Sequence, residues 1–219
     1  MKYAAIVAQI EQAIADGDLD VGDRLPAERA LAVQHGVSRM TVRQALGVLE
    51  ARGLIRRATG RSGGSFVAPP KVERDLASFS GLSAQLARQG LVAGARVLEA
   101  RTTEAGIEIV RLRLADREPL ALERSTFPHR FAQLLERDLT GSLYGLLEDA
   151  APVRAVERIE PVLADADDAE LLRVHVGDPL LLVDRVAYSE DGDVVETARD
   201  LFRGDRTRIV AWTLELVRA

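Results

Sequence analysis

The residues best suited to chemistry sit in one short run, Gly36-Val37-Ser38-Arg39-Met40-Thr41-Val42-Arg43-Gln44-Ala45-Leu46. Its apolar positions, Val42, Ala45, Leu46 and then Leu49, fall at helical spacing and would anchor one face of a helix. The first turn is left to Ser38, Arg39, Thr41, Arg43 and Gln44. Arginine can pair bidentately with guanine and glutamine with adenine, so these types at a helix N-terminus can read base edges in a major groove. Serine and threonine hydroxyls, like the helix N-terminus itself, suit phosphate oxygens. Charge supports the same reading. From Gly36 to Lys71 the cations are Arg39, Arg43, Arg52, Arg56, Arg57, Arg61 and Lys71, against the single acid Glu50. The whole chain carries −5, so a basic patch sits on an acidic protein, as in a DNA-reading domain joined to a second function. The alternative is a solvated face of surface salt bridges.

The elements needed to hold that run are legible around it. Ile6, Val7, Ile10, Ala13 and Ile14 make residues 3 to 15 an amphipathic helix. A turn with Gly22, Asp23 and Pro26 leads to a short helix over Ala27 to Gln34, which Gly36 ends. Ser38 is placed to cap the third helix, and Gly53 closes it. Leu54 to Arg57 and Ser65 to Val67 read as two strands of a hairpin, with Thr59 to Gly64 as a glycine-rich tip. Glycine at Gly60 removes a side-chain clash where the backbone would approach a duplex, and Arg61 adds a charge there.

Ala68-Pro69-Pro70-Lys71 reads as a stiff linker, which gives a first domain over 1–68, a linker over 69–73 and a second domain over 74–219. The second domain is expected to open with a helix in 74–89. Strand-like runs follow at 96–100, 108–114, 120–126, 157–163, 180–188 and 194–202, with helices at 131–136, 142–148 and 167–173 and a last strand from 209 to 217 closing the sheet. Repeated hairpin signals with few helices indicate an antiparallel α+β fold.

Composition bounds the function. The 219 residues suit two domains, and 47% hydrophobic content supplies real cores. No apolar run approaches the ~20 residues of a membrane span, and the N-terminus is not a secretory signal. Cysteine is absent, which excludes disulfides and Cys-based zinc fingers. His35, His129 and His175 are scattered without metal-ligand spacing. No G-x-S-x-G nucleophile motif occurs. The expectation is a cytoplasmic protein with no cofactor, no metal and no membrane partner.

Residues 3 to 67 closely resemble the winged helix-turn-helix of GntR-family regulators. The shared stretches are Gly22 to Arg29, Val37 to Leu46, Gly53-Leu54-Ile55 and Gly64-Ser65-Phe66-Val67. By that resemblance Arg29, Arg39 and Arg43 contact DNA, with Ser38, Thr41 and the wing residue Gly60 beside them. The wing is longer than the family's usual Gly-x-Gly-Thr-Phe-Val, which gives Arg61 a contact of its own. Residues 74 to 217 resemble the UTRA effector domain of the HutC subfamily, similar in fold to chorismate lyase. The stretches that carry this are Arg111-Leu112-Arg113, Arg117 to Leu120, Leu139 to Tyr144, Gly177 to Leu181, Asp191 to Glu196 and Phe202 to Arg206.

The resemblance implies a small polar effector. Arg111 and Arg113, two apart on a strand, share a face and can hold a phosphate or carboxylate. Ser142 and Tyr144 offer hydroxyls, Glu123 and Glu196 accept bonds from ligand hydroxyl or amino groups, and Phe79-Ser80-Gly81 supplies backbone N–H groups. The alternative pairs Arg111 and Arg113 with Glu123 and Glu196 on a solvated sheet. Two departures stand out. The stretch from Arg96 to Arg111 is shorter than usual, and Phe202 or Leu201 stands where the family has a tyrosine. The implied function is a ligand-responsive repressor that binds a pseudo-palindromic operator as a homodimer. The other readings are a DNA-binding regulator whose second domain only dimerises, and a chorismate-lyase-like enzyme.

Overall fold

The computed structural model describes residues 2–58, 63–76 and 80–211. The chain divides into two compact units between Lys71 and Val72.

The first unit holds α1 (Lys2–Ala15), α2 (Glu28–Gln34), α3 (Arg39–Ala51) and an antiparallel hairpin, β1 (Ile55–Ala58) and β2 (Gly64–Val67). The helical stripes seen in sequence meet in one core: Ile6, Val7 and Ile10 of α1, Leu31 of α2, and Val42, Ala45, Leu46 and Leu49 of α3, closed by Leu25, Ile55 and Val67. Each fully buried Leu or Ile contributes about 1.5–3 kcal/mol, so this apolar stripe fixes the angle at which α3 presents its other face. Gly36 (φ +60°) and Gly53 (φ +72°) make the left-handed turns on either side of α3. The segment before α2 joins the hairpin: Leu25 N–H donates to the Ser65 carbonyl at 2.8 Å, and Val67 N–H to that of Asp23 at 2.9 Å.

The second unit is built on a six-stranded antiparallel sheet in the order β4-β5-β6-β9-β8-β7. The strands are β4 (Ala93–Thr103), β5 (Gly106–Ala115), β6 (Glu118–Phe127), β7 (Arg154–Leu163), β8 (Pro179–Tyr188) and β9 (Val194–Arg203). Rows across the sheet show how its faces differ. Leu112, Leu122, Leu201 and Leu182 lie directly opposite one another and pack with Ala169 and Leu172 of helix α5 (Ala166–Leu172). One residue along, the row is Arg111, Glu123, Asp200 and Val183, and it faces the other side. That side is covered at one end by 3₁₀ turns within 129–150 and at the other by α4 (Gly81–Arg88).

Three expectations are corrected. Residues 72–75 are not helical: they form β3 (Val72–Asp75), which pairs in parallel with β10 (Thr207–Val210), and the helix begins at Gly81. The reason is a period-two burial pattern, Val72 and Arg74 inward and Glu73 outward, hidden in sequence because an arginine fills a buried place. The same strand takes in part of the 69–73 linker. Second, β10 does not extend the six-stranded sheet but pairs with β3, while residues 212–217 lie outside those described. Third, 142–148 is not one helix but two short 3₁₀ turns, Tyr144–Leu146 and Glu148–Ala150.

Candidate functional site

Two places concentrate polar chemistry, one in each unit. In the first, Ser38 caps α3: Thr41 N–H donates to Ser38 Oγ at 3.1 Å, and the two hydroxyls lie 2.9 Å apart. Because Val42, Ala45, Leu46 and Leu49 are buried, Arg39, Arg43 and Gln44 are left on the exposed side and Thr41 half-buried beside them. Arg29 is exposed on α2. Gly60 and Arg61 lie outside the described residues.

Not every cation in the basic run is available. Arg43 Nε donates to Glu28 Oε2 at 2.8 Å, Arg52 pairs with Glu11, and Arg57 lies 3.3 Å from Glu50. Arg24 and Arg56 stack on Phe66, at 5.9 and 4.9 Å from the ring centre. Arg39 and Arg29 have no ion-pair partner among the described residues. Sequence reading missed the Glu28 tether on Arg43, and it did not single out Met40, an exposed apolar side chain on the same turn.

The second place is a cavity of about 50 Å³ on the polar face of the six-stranded sheet. Arg111, Arg113, Glu123, Ser142, Tyr144 and Glu196 all line it, so the structure brings these six together. Phe79 lies outside the described residues. Ser80 is not part of the lining: its Oγ accepts from Arg88, while Gly81, Leu82 and Ser83 form that wall. No residue of β4 or of the 96–110 stretch lines the cavity.

The arginine pair is buried and internally bonded. Arg111 Nη1 donates to the carbonyls of Leu139 (2.7 Å) and Gly141 (2.8 Å), and Nη2 to Glu123 Oε2 (2.6 Å). Arg113 Nη1 bridges both Glu123 oxygens (2.9 and 3.0 Å), and Nη2 donates to Ser83 Oγ (2.7 Å). Burial pushes the Glu123 carboxyl up, but the charges and hydrogen bonds of Arg113 and Arg111 outweigh it and hold the group down to about 2. The solvated-sheet alternative holds in that both arginines pair with Glu123, and it is corrected in two respects: Glu196 is bonded to Tyr144 instead, and the cluster is buried rather than solvated.

Glu196 instead accepts from the Tyr144 hydroxyl, and Arg185 Nη1 donates to the same hydroxyl oxygen at 3.3 Å while holding Glu157 through Nε at 2.7 Å. Burial raises Glu196 above the usual carboxylate range, against the opposing hydrogen bonds of Tyr144 and Ser125. Ser142 Oγ accepts from Gly145 N–H at 3.3 Å. The cavity also contains Arg74, Ser83, Arg185 and Asp200, which sequence reading did not single out. A signal existed for Asp200: it follows Glu196 at even spacing on β9, so the two share a face.

A winged three-helix unit and a sheet with a polar cavity on one face match two family models. Residues 2–67 match bacterial regulatory proteins of the gntR family, and residues 89–208 match the UTRA domain. The chain belongs to the GntR family. It is 34% identical to the HTH-type transcriptional repressor NagR of Bacillus subtilis, over 95% of this chain and 93% of that one. It is also 34% identical to the HTH-type transcriptional repressor PhnF of Mycolicibacterium smegmatis, over 96% of this chain and 92% of that one. The crystal structure of PhnF from Mycobacterium smegmatis superposes with a TM-score of 0.66 at 30% identity, covering 98% of this chain and 99% of that chain. This GntR-family member is therefore a DNA-binding transcription regulator with a UTRA domain, and no helix among its described residues is long and apolar enough to cross a membrane.

Proposed function

We propose that this regulator is a cytoplasmic homodimeric repressor that grips a pseudo-palindromic operator through α3 and leaves it when a small polar, anionic ligand enters the UTRA cavity. The observation that carries the reading is α3 itself: a serine-capped helix whose apolar stripe is buried and whose first turns present Arg39, Arg43 and Gln44 outward. In this reading Arg39, Arg43 and Gln44 contact base edges, while Arg29, Ser38 and Thr41 hold phosphates. Gly60 and Arg61 serve as the wing contact. Arg43 exchanges Glu28 for its DNA partner on binding.

Arg111 and Arg113 share one carboxylate, so their cluster keeps a net positive charge suited to an anion. Ser142, Tyr144 and Glu196 contact the rest of the ligand. By linkage, whatever factor the ligand takes from operator affinity, the operator takes from ligand affinity. We assign the second unit a sensing role, and turnover of chorismate by the protein would overturn that. One observation favours a second reading, a UTRA unit that only dimerises: Arg111 and Arg113 already have internal partners for most of their donors.

The test is fluorescence anisotropy of the full-length protein on its own upstream DNA across salt, with and without phosphorylated metabolites. Specific, salt-sensitive binding that a metabolite weakens supports the proposal. Specific binding indifferent to every metabolite supports the dimeriser. Equal affinity for unrelated DNA refutes the operator assignment.

A further inference from the structure

Helix α3 has two opposite faces. Val42, Ala45, Leu46 and Leu49 turn inward at the i, i+3, i+4, i+7 spacing of a single stripe. The same spacing started two residues earlier, Met40, Arg43, Gln44 and Gly47, runs down the other side. At about 100° of turn per residue, Met40 points about 170° away from the middle of the buried stripe. It is 69% exposed, an apolar side chain on a turn whose other outward groups are polar. Arg39 beside it is exposed and has no ion-pair partner among the described residues, and Gln44 stands one turn further along. Arg43 is drawn toward α2 by its bond to Glu28, which leaves Met40 and Gln44 at the front of this face. Gly47 adds no bulk there: nothing lies within 4 Å of where its Cβ would stand, so nothing at that position holds the first turns off a surface. Met40 buries little against the fold, and a thioether has no N–H or O–H to donate to a phosphate or a base.

We infer that Met40 is a specificity-determining residue of the operator contact and reads the C5-methyl group of a thymine. This rests on the reading in which α3 grips the operator, and it adds a base-reading side chain together with the base it selects. Among the groups that the base pairs present in the major groove, the thymine methyl is the apolar one, and the rest are hydrogen-bond donors and acceptors. An apolar chain laid over a donor or acceptor takes away its water and returns no bond. Met40 therefore favours thymine in two ways: it buries the methyl, and it penalises a cytosine amino group set in its place. The unbranched, polarizable methionine chain settles on a methyl without requiring one fixed docking angle. Charge and discrimination are thus divided on this turn. The arginines draw it to the polyanion, whereas Met40 carries no charge, so its removal changes base preference and leaves the salt dependence of binding intact.

The experiment is an anisotropy titration of the full-length protein, wild type and M40A, on a duplex carrying the stretch of its own upstream DNA that it protects from DNase I. Each thymine is replaced in turn by deoxyuridine, which removes the methyl and keeps every hydrogen-bonding group of the base. The wild type should lose about 4-fold in affinity at one thymine of a half-site, the worth of one buried methyl, and M40A should be indifferent to that same replacement. On the unsubstituted duplex M40A should bind at least about 4-fold more weakly than wild type. Its melting curve and its slope of log affinity against log salt should match those of wild type. A scan with no position at which the two proteins respond differently overturns the inference. So does an M40A whose affinity falls equally on the protected stretch and on unrelated DNA, or one that melts more than about 4 °C below wild type, which makes the residue structural. Specific binding without a methyl-sensitive position sinks Met40 alone and leaves the operator reading standing. A wild type that protects no stretch of the DNA sinks the operator reading and this inference with it.

Discussion

Glu123 is the residue on which the enclosed cluster turns, and E123Q isolates its charge with little change of shape. The glutamine leaves Arg111 and Arg113 buried without a counter-charge, and removing one partner of a buried pair costs about 3–5 kcal/mol. The carboxyl itself gives a second route to the magnitude. A fall from the ordinary 4.5 to about 2, at about 1.4 kcal/mol for each pH unit, corresponds to about 3 kcal/mol. The sign follows from the lowered value: the contribution is complete above 4.5 and is lost as the pH falls through about 2. At neutral pH, E123Q should therefore lower the melting temperature of the UTRA unit by about 6–12 °C. The gap should narrow on acidification toward pH 2, where about half of Glu123 is protonated and as neutral as the glutamine. Added sulfate should raise the variant's melting temperature more than the wild type's, because two guanidinium groups then lack a partner. Circular dichroism melts at stepped pH read all three. A variant that melts with the wild type at neutral pH, or a gap that stays constant down to pH 2, would refute the reasoning.

Other perturbations have defined outcomes. R43A removes a proposed base contact and frees Glu28; specific operator affinity should drop by about 10-fold or more, read by anisotropy, with the melting curve unchanged. S38A leaves Thr41 N–H without its cap, which should cost the first unit about 1 kcal/mol and weaken operator binding as well. Gly106 has φ +143°, and an added Cβ would meet the Phe127 carbonyl oxygen at 2.1 Å; G106A should destabilise the β4–β5 hairpin by roughly 3 kcal/mol, measured by urea unfolding. Asp200 titrates above its ordinary 3.8, so the stability it contributes is full below that value and is lost as pH rises through the raised one. D200N should gain on wild type with rising pH in the same melts, and parallel curves would count against the assignment.

Legibility differs between the two units for a physical reason. In the first, almost everything was encoded within a few turns of chain: the apolar stripes of α1 and α3, the cap at Ser38 and the glycines at 36 and 53. In the second, the strands at 106–115, 118–127, 179–188 and 194–203 were visible from alternation and turn residues, each to within a few positions. The errors fall where burial contradicts residue type. Val72 and Glu73 read as the end of a linker and Arg74 as the polar start of a helix, yet Val72 to Asp75 is one strand with that arginine inside. The site shows the same division. Arg111, Arg113 and Glu123 were identifiable because their motifs are local to β5 and β6, and Asp200 was marked only by its even spacing from Glu196, whereas Arg74, Ser83 and Arg185 carry no local mark.

The sequence by itself determined the local elements and the charge asymmetry, because helix periodicity, caps and turns depend on residues within reach of one another along the chain. Tertiary structure alone decided that β9 lies between β6 and β8, which sets Asp200 directly beside Glu123. It also decided that β3 pairs with β10, far along the chain, which carries Arg74 into the same cavity. Strand pairing is fixed by which rows of side chains bury together, a property of the whole sheet that no short window contains. For the same reason Arg43 reads as a free cation in sequence, and its bond to Glu28 exists only once α2 and α3 have packed.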